Sequence, residues 1–478
     1  MKLLILLFLP LFAGLLLLIT RKYRFSGYLA PASALISLVV TLMVISGVPS
    51  GNVSVDWMQV PGVRFNLQLD EISKIMLLLT GLLYPFILFS GWGREQTNQS
   101  SLQALLLFSQ SALTGVFLAG NAFLFYVCWE LALLPVFFIL LLWGGPGRRS
   151  ITLKFFIYTL AGSLFLLFGI IYLYLQTPGL HSADFAAMAQ LQLPEKTQQW
   201  LFWILFIGLA VKMPLFPFHT WQPPAYTTAP LQGTMVLAGI MSKMGIYGVF
   251  RLLFPILPQG VLFWQNTVII LGLTGVVYAS VIAFRQNNLK TLIAFSSLAH
   301  ISLMVAALFA ANTYAVQGVL FQVVAHGITI VALFYLVMLT EEKAGTSELS
   351  GMGGLKISAP RLALLFMLVM LGGIALPLTS GFIGEFLMIT GIFKVSVWFA
   401  LAGGLTLVLG AVYMLYAYQR VFLGPLNPAP EHKGDIISRD QWWLIPLVIL
   451  ILVLGIWPQP VLNLVLTIPE LLRPLPLP

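Results

Sequence analysis

One cysteine, Cys128, stands in a chain of 478 residues, inside an apolar run. That excludes an intrachain disulfide and a cysteine metal cage, and Cys128 reads as a small buried apolar side chain. Charge is equally scarce: 8% of residues are Asp, Glu, Lys or Arg, against 59% hydrophobic. A large soluble domain is not built from that mixture, which is the composition of a polytopic helical membrane protein. The formal net charge of +9 does not point to nucleic acid, because the basic residues are scattered over short loops without a run or an aromatic-interleaved stripe. Also missing are a phosphate-cradling GxxxxGKS/T loop, a GxGxxG turn after a strand, HExxH and CxxC. The chain offers no evident site for a nucleotide, flavin, iron–sulfur cluster, haem or metal. Any electrons involved in its work travel elsewhere.

What is present is a succession of apolar runs, each long enough to cross a bilayer at about 17–25 residues per span. They cover 3–20, 27–46, 73–92, 102–119, 121–143, 153–177, 198–217, 229–254, 263–284, 289–311, 314–340, a broken twelfth over 360–379 and 381–394, then about 396–421 and 441–457. Fourteen transmembrane helices are expected, the fourth and fifth separated only by the turn signal Gly120-Asn121. The first run is read as a span and not a signal peptide, since Arg21, Lys22 and Arg24 follow it and no small-residue cleavage site ends it. Of the 24 Lys and Arg, two lie inside spans, fifteen follow odd-numbered spans and seven fall on the other side. The positive-inside rule then puts both termini on the outer side. About twenty residues follow the last span, with no soluble domain expected there.

Four charges interrupt these runs. Lys212 lies in LFIGLAVKMPLFPFHTW, Lys243 in MVLAGIMSKMGIYGVF, Glu130 in FLFYVCWELALLPVFF and Glu385 in LPLTSGFIGEFLMITG. Each charge at bilayer depth costs roughly 2.5–3.5 kcal/mol on insertion scales, so four together ask for a function, with proton or cation movement first. Pro214, Pro217, Pro223 and Pro224 rule out a continuous helix after Lys212. Irregular backbone at that depth persists only against protein or a wet cavity. A second break precedes Glu385, at Pro377, Ser380, Gly381 and Gly384. Paired broken helices point to an internally repeated transporter fold with central sites. The intervals Lys212 to Glu385, Glu130 to His300 and Lys243 to Tyr416 are of nearly equal length and lend weak support to a repeat. Glu130 is the expected counter-ion of Lys212. At 4–7 Å and an effective dielectric near 20 such a pair is worth about 2–4 kcal/mol, enough to move a proton between sites. The competing reading is a static ion pair locking two helices.

His219, His300 and His326 lie in or beside apolar segments and titrate in the range suited to relay. Ser296, Ser297 and Thr220 could hold connecting water. A lone membrane histidine more often joins two helices by a hydrogen bond; three of them, with His300 and His326 between Lys243 and Glu385, favour a hydrated path.

The strings WELALLPVFF, VKMPLFPFHTW, MSKMGIYG, NNLKTLIAFSSLAH and LPLTSGFIGEF resemble the antiporter-like subunits of respiratory complex I, over about residues 70–420. The resemblance implies an all-α polytopic fold of about 14 transmembrane helices with two inverted five-helix repeats and two broken helices. Residues 1–100 would hold the first three helices, 101–255 the first repeat, 256–422 the second, and 423–478 the last helix and tail. It implies proton transfer through Glu130, Lys212, Lys243 and Glu385, with His219, His300 and His326 along a central axis and water linking Lys243 to Glu385 through the last two. NADH, FMN, iron–sulfur clusters and quinone would belong to partner subunits, with L- and N-type chains as neighbours in a bacterial inner membrane. The position of Glu385 is typically lysine in L and N subunits and in the D subunit of Mrp sodium–proton antiporters, whereas glutamate resembles the M type, chain 4 in mitochondria. Membrane-bound hydrogenases contain similar subunits. An antiporter subunit and a non-conducting scaffold are the alternatives. The chain departs from the family pattern at Pro224, Tyr226 and Thr228, where an acid, a histidine and a second acid are usual, and at Asn288, usually aspartate, ahead of Lys290. These changes put in doubt a role for peripheral acids in proton uptake.

Overall fold

The computed structural model describes every residue except 21–22, 48–50, 59–62, 95–96, 426–433 and 467–478. Arg21, Lys22, Lys433 and Arg473 of the loop-charge comparison lie outside the described residues. The chain is almost entirely helical: α1 (Lys2–Thr20), α2 (Tyr23–Ile45), α3 (Glu71–Phe89), α4 (Gln99–Leu118), α5 (Ala122–Trp143), α6 (Arg148–Gln176), the one-turn α7 (Phe185–Met188) and α8 (Glu195–Lys212). Then come α9 (Gln222–Thr228), α10 (Leu231–Gly239), a 3-10 turn (Met241–Lys243), α11 (Met244–Gly248), a π segment (Val249–Leu253), α12 (Pro258–Phe284), α13 (Leu289–Phe309) and α14 (Thr313–Ala344). The last are α15 (Leu355–Ser358), α16 (Pro360–Gly373), α17 (Ser380–Val395), α18 (Val397–Phe422), α19 (Ser438–Ile456) and α20 (Gln459–Val465). The one departure from an all-helical chain, among the described residues, is an antiparallel hairpin of β1 (Val53–Met58) and β2 (Val63–Leu67) between the second and third helices. Its polar and apolar residues alternate with the period of a strand instead of forming a run.

Twelve described helices are long and apolar enough to cross a membrane. Two of the fourteen expected spans are not among them, for stated reasons: α8 carries Glu195, Lys196 and Lys212 in 18 residues, and α16 and α17 are the 14- and 16-residue halves of an interrupted helix. Burial divides the spans into a centre and a ring. In Leu231–Leu253, α13 and α14, 94% of the apolar window is buried, against 39% in α6, 33% in α18 and 39% in α19. The ring turns Leu and Phe outward, as lipid requires; the centre is sheltered on all sides.

The turn at Gly120-Asn121 is real and has a cause. The Leu124 amide donates to Asn121 Oδ1 at 2.8 Å, capping α5, and Asn121 Nδ2 donates to the Arg64 carbonyl of β2 at 2.6 Å. A Cβ on Gly120 would stand 2.8 Å from Asn66 Cγ, so only glycine lets the hairpin close there. The hairpin thus marks one end of the bundle. The other end, reached by α5 at Trp143, bears Arg148 and Arg149 and with them the basic loops.

Candidate proton-transfer axis

Three helices break where buried charge sits, one more than the sequence indicated. The first break follows Lys212, the last residue of α8. Pro214 and Pro217 have no N–H to continue the ladder, and the Val211 carbonyl accepts instead from Trp221 Nε1 at 2.9 Å. The second, read from the sequence as one span over 229–254, lies at Ile240–Lys243. There α10 ends and its orphan carbonyls find side chains. Tyr226 OH donates to the Leu237 carbonyl at 3.1 Å, Ser242 Oγ to the Ala238 carbonyl at 3.0 Å, and Lys243 Nζ also donates to Ala238. Tyr226, one of the departures from the family pattern, therefore steadies the turn that presents Lys243. The third break separates α16 from α17, where Gly381 packs so tightly that a Cβ would meet the Gly372 carbonyl at 2.3 Å. It sets Glu385 on the second turn of α17.

Lys212 is buried, its ammonium 5.3 Å from the centre of the Trp129 ring. Desolvated cation–π contacts of this kind are worth about 2 kcal/mol. Glu130, the next residue, is half-buried and within electrostatic range of Lys212, but among the described residues the two form no direct ion pair and Glu130 Oε1 is buried without a hydrogen-bond partner. The pair is a separated one. Gly245 and Gly248 let α11 lie against Leu209 and Met213, on either side of Lys212 in sequence, so the first two breaks pack together.

From Lys243 onward the polar groups touch. Lys243 is fully buried, and its Nζ lies 2.9 Å from His326 Nδ1 on α14. An ammonium donating there requires an unprotonated Nδ1. The His326 and His300 rings are 5.7 Å apart between centroids. His300 Nδ1 on α13 lies 2.8 Å from Glu385 Oε1, an ion-pair distance reached off the N–H direction. Gln322 Nε2, one turn before His326, reaches the same Glu385 oxygen at 3.5 Å. Lys243 Nζ and Glu385 Oε1 thus each lie within reach of a histidine nitrogen, while the two histidines share no hydrogen bond, and the expected water link between them falls in this gap. Cβ atoms on Gly318, Gly384 and Gly391 would stand 2.6, 2.2 and 2.5 Å from atoms of the facing helix, the close small-residue packing that seats α17 on α14. A cavity of about 20 Å³ open to water centres is lined by Ser296, His300, Gln322, His326, Thr329 and Gly381, among others. That is room for about one water. Of its lining residues, His300 Nε2, His326 Nε2, Gln322 Oε1 and Thr329 Oγ1 are buried without hydrogen-bond partners among the described residues, as are Glu385 Oε2 and Ser297 Oγ elsewhere in the chain. Such orphan groups cost about 1–3 kcal/mol each unless water reaches them.

His219 does not join this run. It packs against Phe216 and Tyr278 at 5.7 and 5.1 Å, near the exposed Lys154, and Thr220 donates to Tyr158 OH. Tyr416, picked out by its interval from Lys243, packs on Phe284 and accepts from Arg420 at the periphery. Tyr413, three residues and about one turn earlier in the same helix, faces inward instead. Tyr413 OH, on the buried face, lies 2.9 Å from Ser296 Oγ. Tyr413, Gln322 and Trp129 escaped sequence reasoning because each is an ordinary residue for an apolar helix. Of the three only Trp129 had a signal, its adjacency to Glu130.

The family described as NADH:quinone oxidoreductase/Mrp antiporter, TM, matches residues 119–410. NADH-quinone oxidoreductase subunit M of Rickettsia conorii is 36% identical over 445 residues, covering 91% of this chain and 90% of that one. F(420)H(2) dehydrogenase subunit M of Methanosarcina mazei is 35% identical over 422 residues, covering 86% and 85%. Among solved structures, a chain of respiratory complex I from Thermus thermophilus superposes with a TM-score of 0.90 at 27% identity, covering 99% of this chain and all of that one. A multi-pass chain with buried charges at its helix breaks and these relatives along nearly its whole length belongs to the NADH:quinone oxidoreductase/Mrp antiporter family of transmembrane subunits.

Proposed function

We propose that this chain is the M-type proton-translocating subunit of a bacterial NADH:quinone oxidoreductase. The observation that carries the reading is the buried, contiguous run Lys243–His326–His300–Glu385. Glu130 and Lys212 form the switching pair: when the carboxylate moves closer, Lys212 holds its proton more firmly, and when it withdraws, the lysine releases it toward Lys243. Lys243 passes the proton to His326 and His300, and Glu385 delivers it on the outer side. His219 lies off this run and has at most a peripheral share in it. The drive is electrostatic and comes from quinone reduction in other subunits, which hold the FMN, iron–sulfur clusters and quinone.

On the same reading α8 and the α16–α17 pair complete fourteen spans, residues 101–255 and 256–422 are two inverted repeats, both termini face outward, and L- and N-type subunits flank the chain. The test is proton uptake by inverted membrane vesicles containing the assembled complex, alongside oxidation of NADH by an artificial acceptor. Lys212→Ala and Glu385→Ala should abolish uptake and spare the oxidation; full uptake in both would remove these residues from the mechanism.

The Methanosarcina relative favours a second reading of the parent complex, because it matches as well as the Rickettsia one while its name specifies a different electron donor. Gentle purification from the native membrane decides: flavin and iron–sulfur subunits oxidising NADH support the first reading, nickel–iron subunits a hydrogenase. Small membrane subunits without a redox protein, with a sodium requirement for transport, support an antiporter.

A further inference from the structure

A second polar column runs from Lys243 toward the hairpin end. Tyr247 and Arg251 follow Lys243 at i+4 and i+8, the last in the π segment Val249–Leu253, and π turns within α-helices recur at functional positions. Tyr247 is fully buried. Arg251 Nε donates to Tyr247 OH at 2.8 Å and Nη2 donates to Ser73 Oγ at 2.9 Å, while Nη1 pairs with Asp70, the N-cap of α3. The guanidinium packs over the rings of Tyr247 and Phe185. The side chain of Arg251 is 15% exposed and that of Asp70 39%, so the column opens to solvent at the hairpin end. Burial pushes the Asp70 carboxyl up, but the Arg251 charge and the Ser73 N–H outweigh it and hold Asp70 below its usual range, so the pair is ionised.

Such a column would let protons leak between Lys243 and the solvent, except for its chemistry. Arginine has five N–H donors, no acceptor, and does not deprotonate. Tyr247 OH accepts from Arg251 and donates to the Phe117 carbonyl at 3.0 Å, so its only proton is committed to the backbone. No chain of exchanging hydrogen bonds can pass through that arrangement. The charge adds to it: Arg251 stands about two helical turns, roughly 11 Å, from Lys243. At an effective dielectric near 20, a fixed positive charge at that distance lowers proton occupancy of the column about tenfold. The ionised Asp70 just beyond Arg251 offsets much of this field, so the block rests chiefly on the donor-only guanidinium and the committed Tyr247 proton.

We propose that Arg251, held by Asp70, Ser73 and Tyr247, is a seal that keeps protons on Lys243 from reaching the hairpin-end solvent. The inference rests on Lys243 being a proton carrier. The readout is the passive decay of an imposed pH step in proteoliposomes of the purified complex, without substrate, so it is independent of whether NADH drives uptake.

Arg251→Gln, and the Asp70→Asn/Arg251→Gln pair that leaves no unpaired carboxylate, should speed the decay about tenfold. Arg251→Lys and Asp70→Asn keep a donor-only cation and should stay within about twofold of the parent. A mere anchor between α3 and the π segment predicts that all these variants leak alike, since lysine cannot reproduce the forked contacts. That outcome, or a parental rate in both glutamine variants, overturns the seal. Assembly is checked by native electrophoresis, and the double variant stands in if Arg251→Gln does not assemble.

Discussion

The two halves of the axis are built differently. Around Lys212 the charges stand apart: the ammonium faces an indole at 5.3 Å, and the half-buried Glu130 acts on it from a distance. Around Lys243 the groups are closely spaced, with Nζ 2.9 Å from His326 and His300 2.8 Å from Glu385, and Lys243, His326 and His300 lie in the three most buried spans. A separated pair is easily tuned, because its energy changes steeply as one partner shifts. A run in contact is suited to passing a proton once it has been released. The same chain thus holds a separated pair, one of whose partners is half-buried, and a closely spaced run at its centre.

The largest effect expected from breaking this contrast is in the conductive half. Glu385→Gln keeps the shape and removes the charge, and should lower NADH-driven proton uptake at least about tenfold, about 1.4 kcal/mol. Uptake within twofold of the parent would mean that Glu385 is structural. Next, double-mutant cycles should separate the halves. Lys243→Gln with His326→Gln removes one contact and should give a coupling of about 1–3 kcal/mol in uptake, whereas Glu130→Gln with Lys212→Gln should stay at the low end or below. Equal couplings would erase the distinction.

Gly384→Ala tests how the contact is made. Its Cβ would drive into Gln322, displacing α17 from α14 at a cost of about 1–3 kcal/mol in stability, read as a lower melting temperature of the assembled complex. An unchanged melting temperature with unchanged uptake would show that the crossing has slack. The smallest expected effect is in the separated half: Trp129→Leu forfeits the cation–π contact but leaves the lysine and Glu130 in place, so uptake should fall only several-fold while Lys212→Ala abolishes it. A loss as complete as that of Lys212→Ala would make the indole an equal partner of Glu130.

Much of this was legible in the chain. Span positions, the paired helix breaks and all four charges inside the spans follow from local composition, and the described helices fall within a few residues of the expected runs. The break at Ile240–Lys243 was not legible, because no proline marks it. It depends on Tyr226, thirteen residues before Gly239, and on Ser242 taking up carbonyls that a regular helix would have used. Tyr413 and Gln322 were invisible for a related reason. Tyrosine and glutamine are common in helices, and which face of α14 or α18 meets Glu385 is set by the rotation of each helix in the bundle.

Hydrophobicity and charge are properties of each segment by itself, so the order of the residues was enough to establish a membrane protein with titratable groups at depth, and the family motifs extended this to proton movement. Contact between those groups is a property of pairs of segments far apart in sequence. Only the packed bundle, with glycines bringing α14 and α17 to backbone distance and a guanidinium closing the far side of Lys243, decided that His326, His300 and Glu385 meet while Glu130 and Lys212 do not.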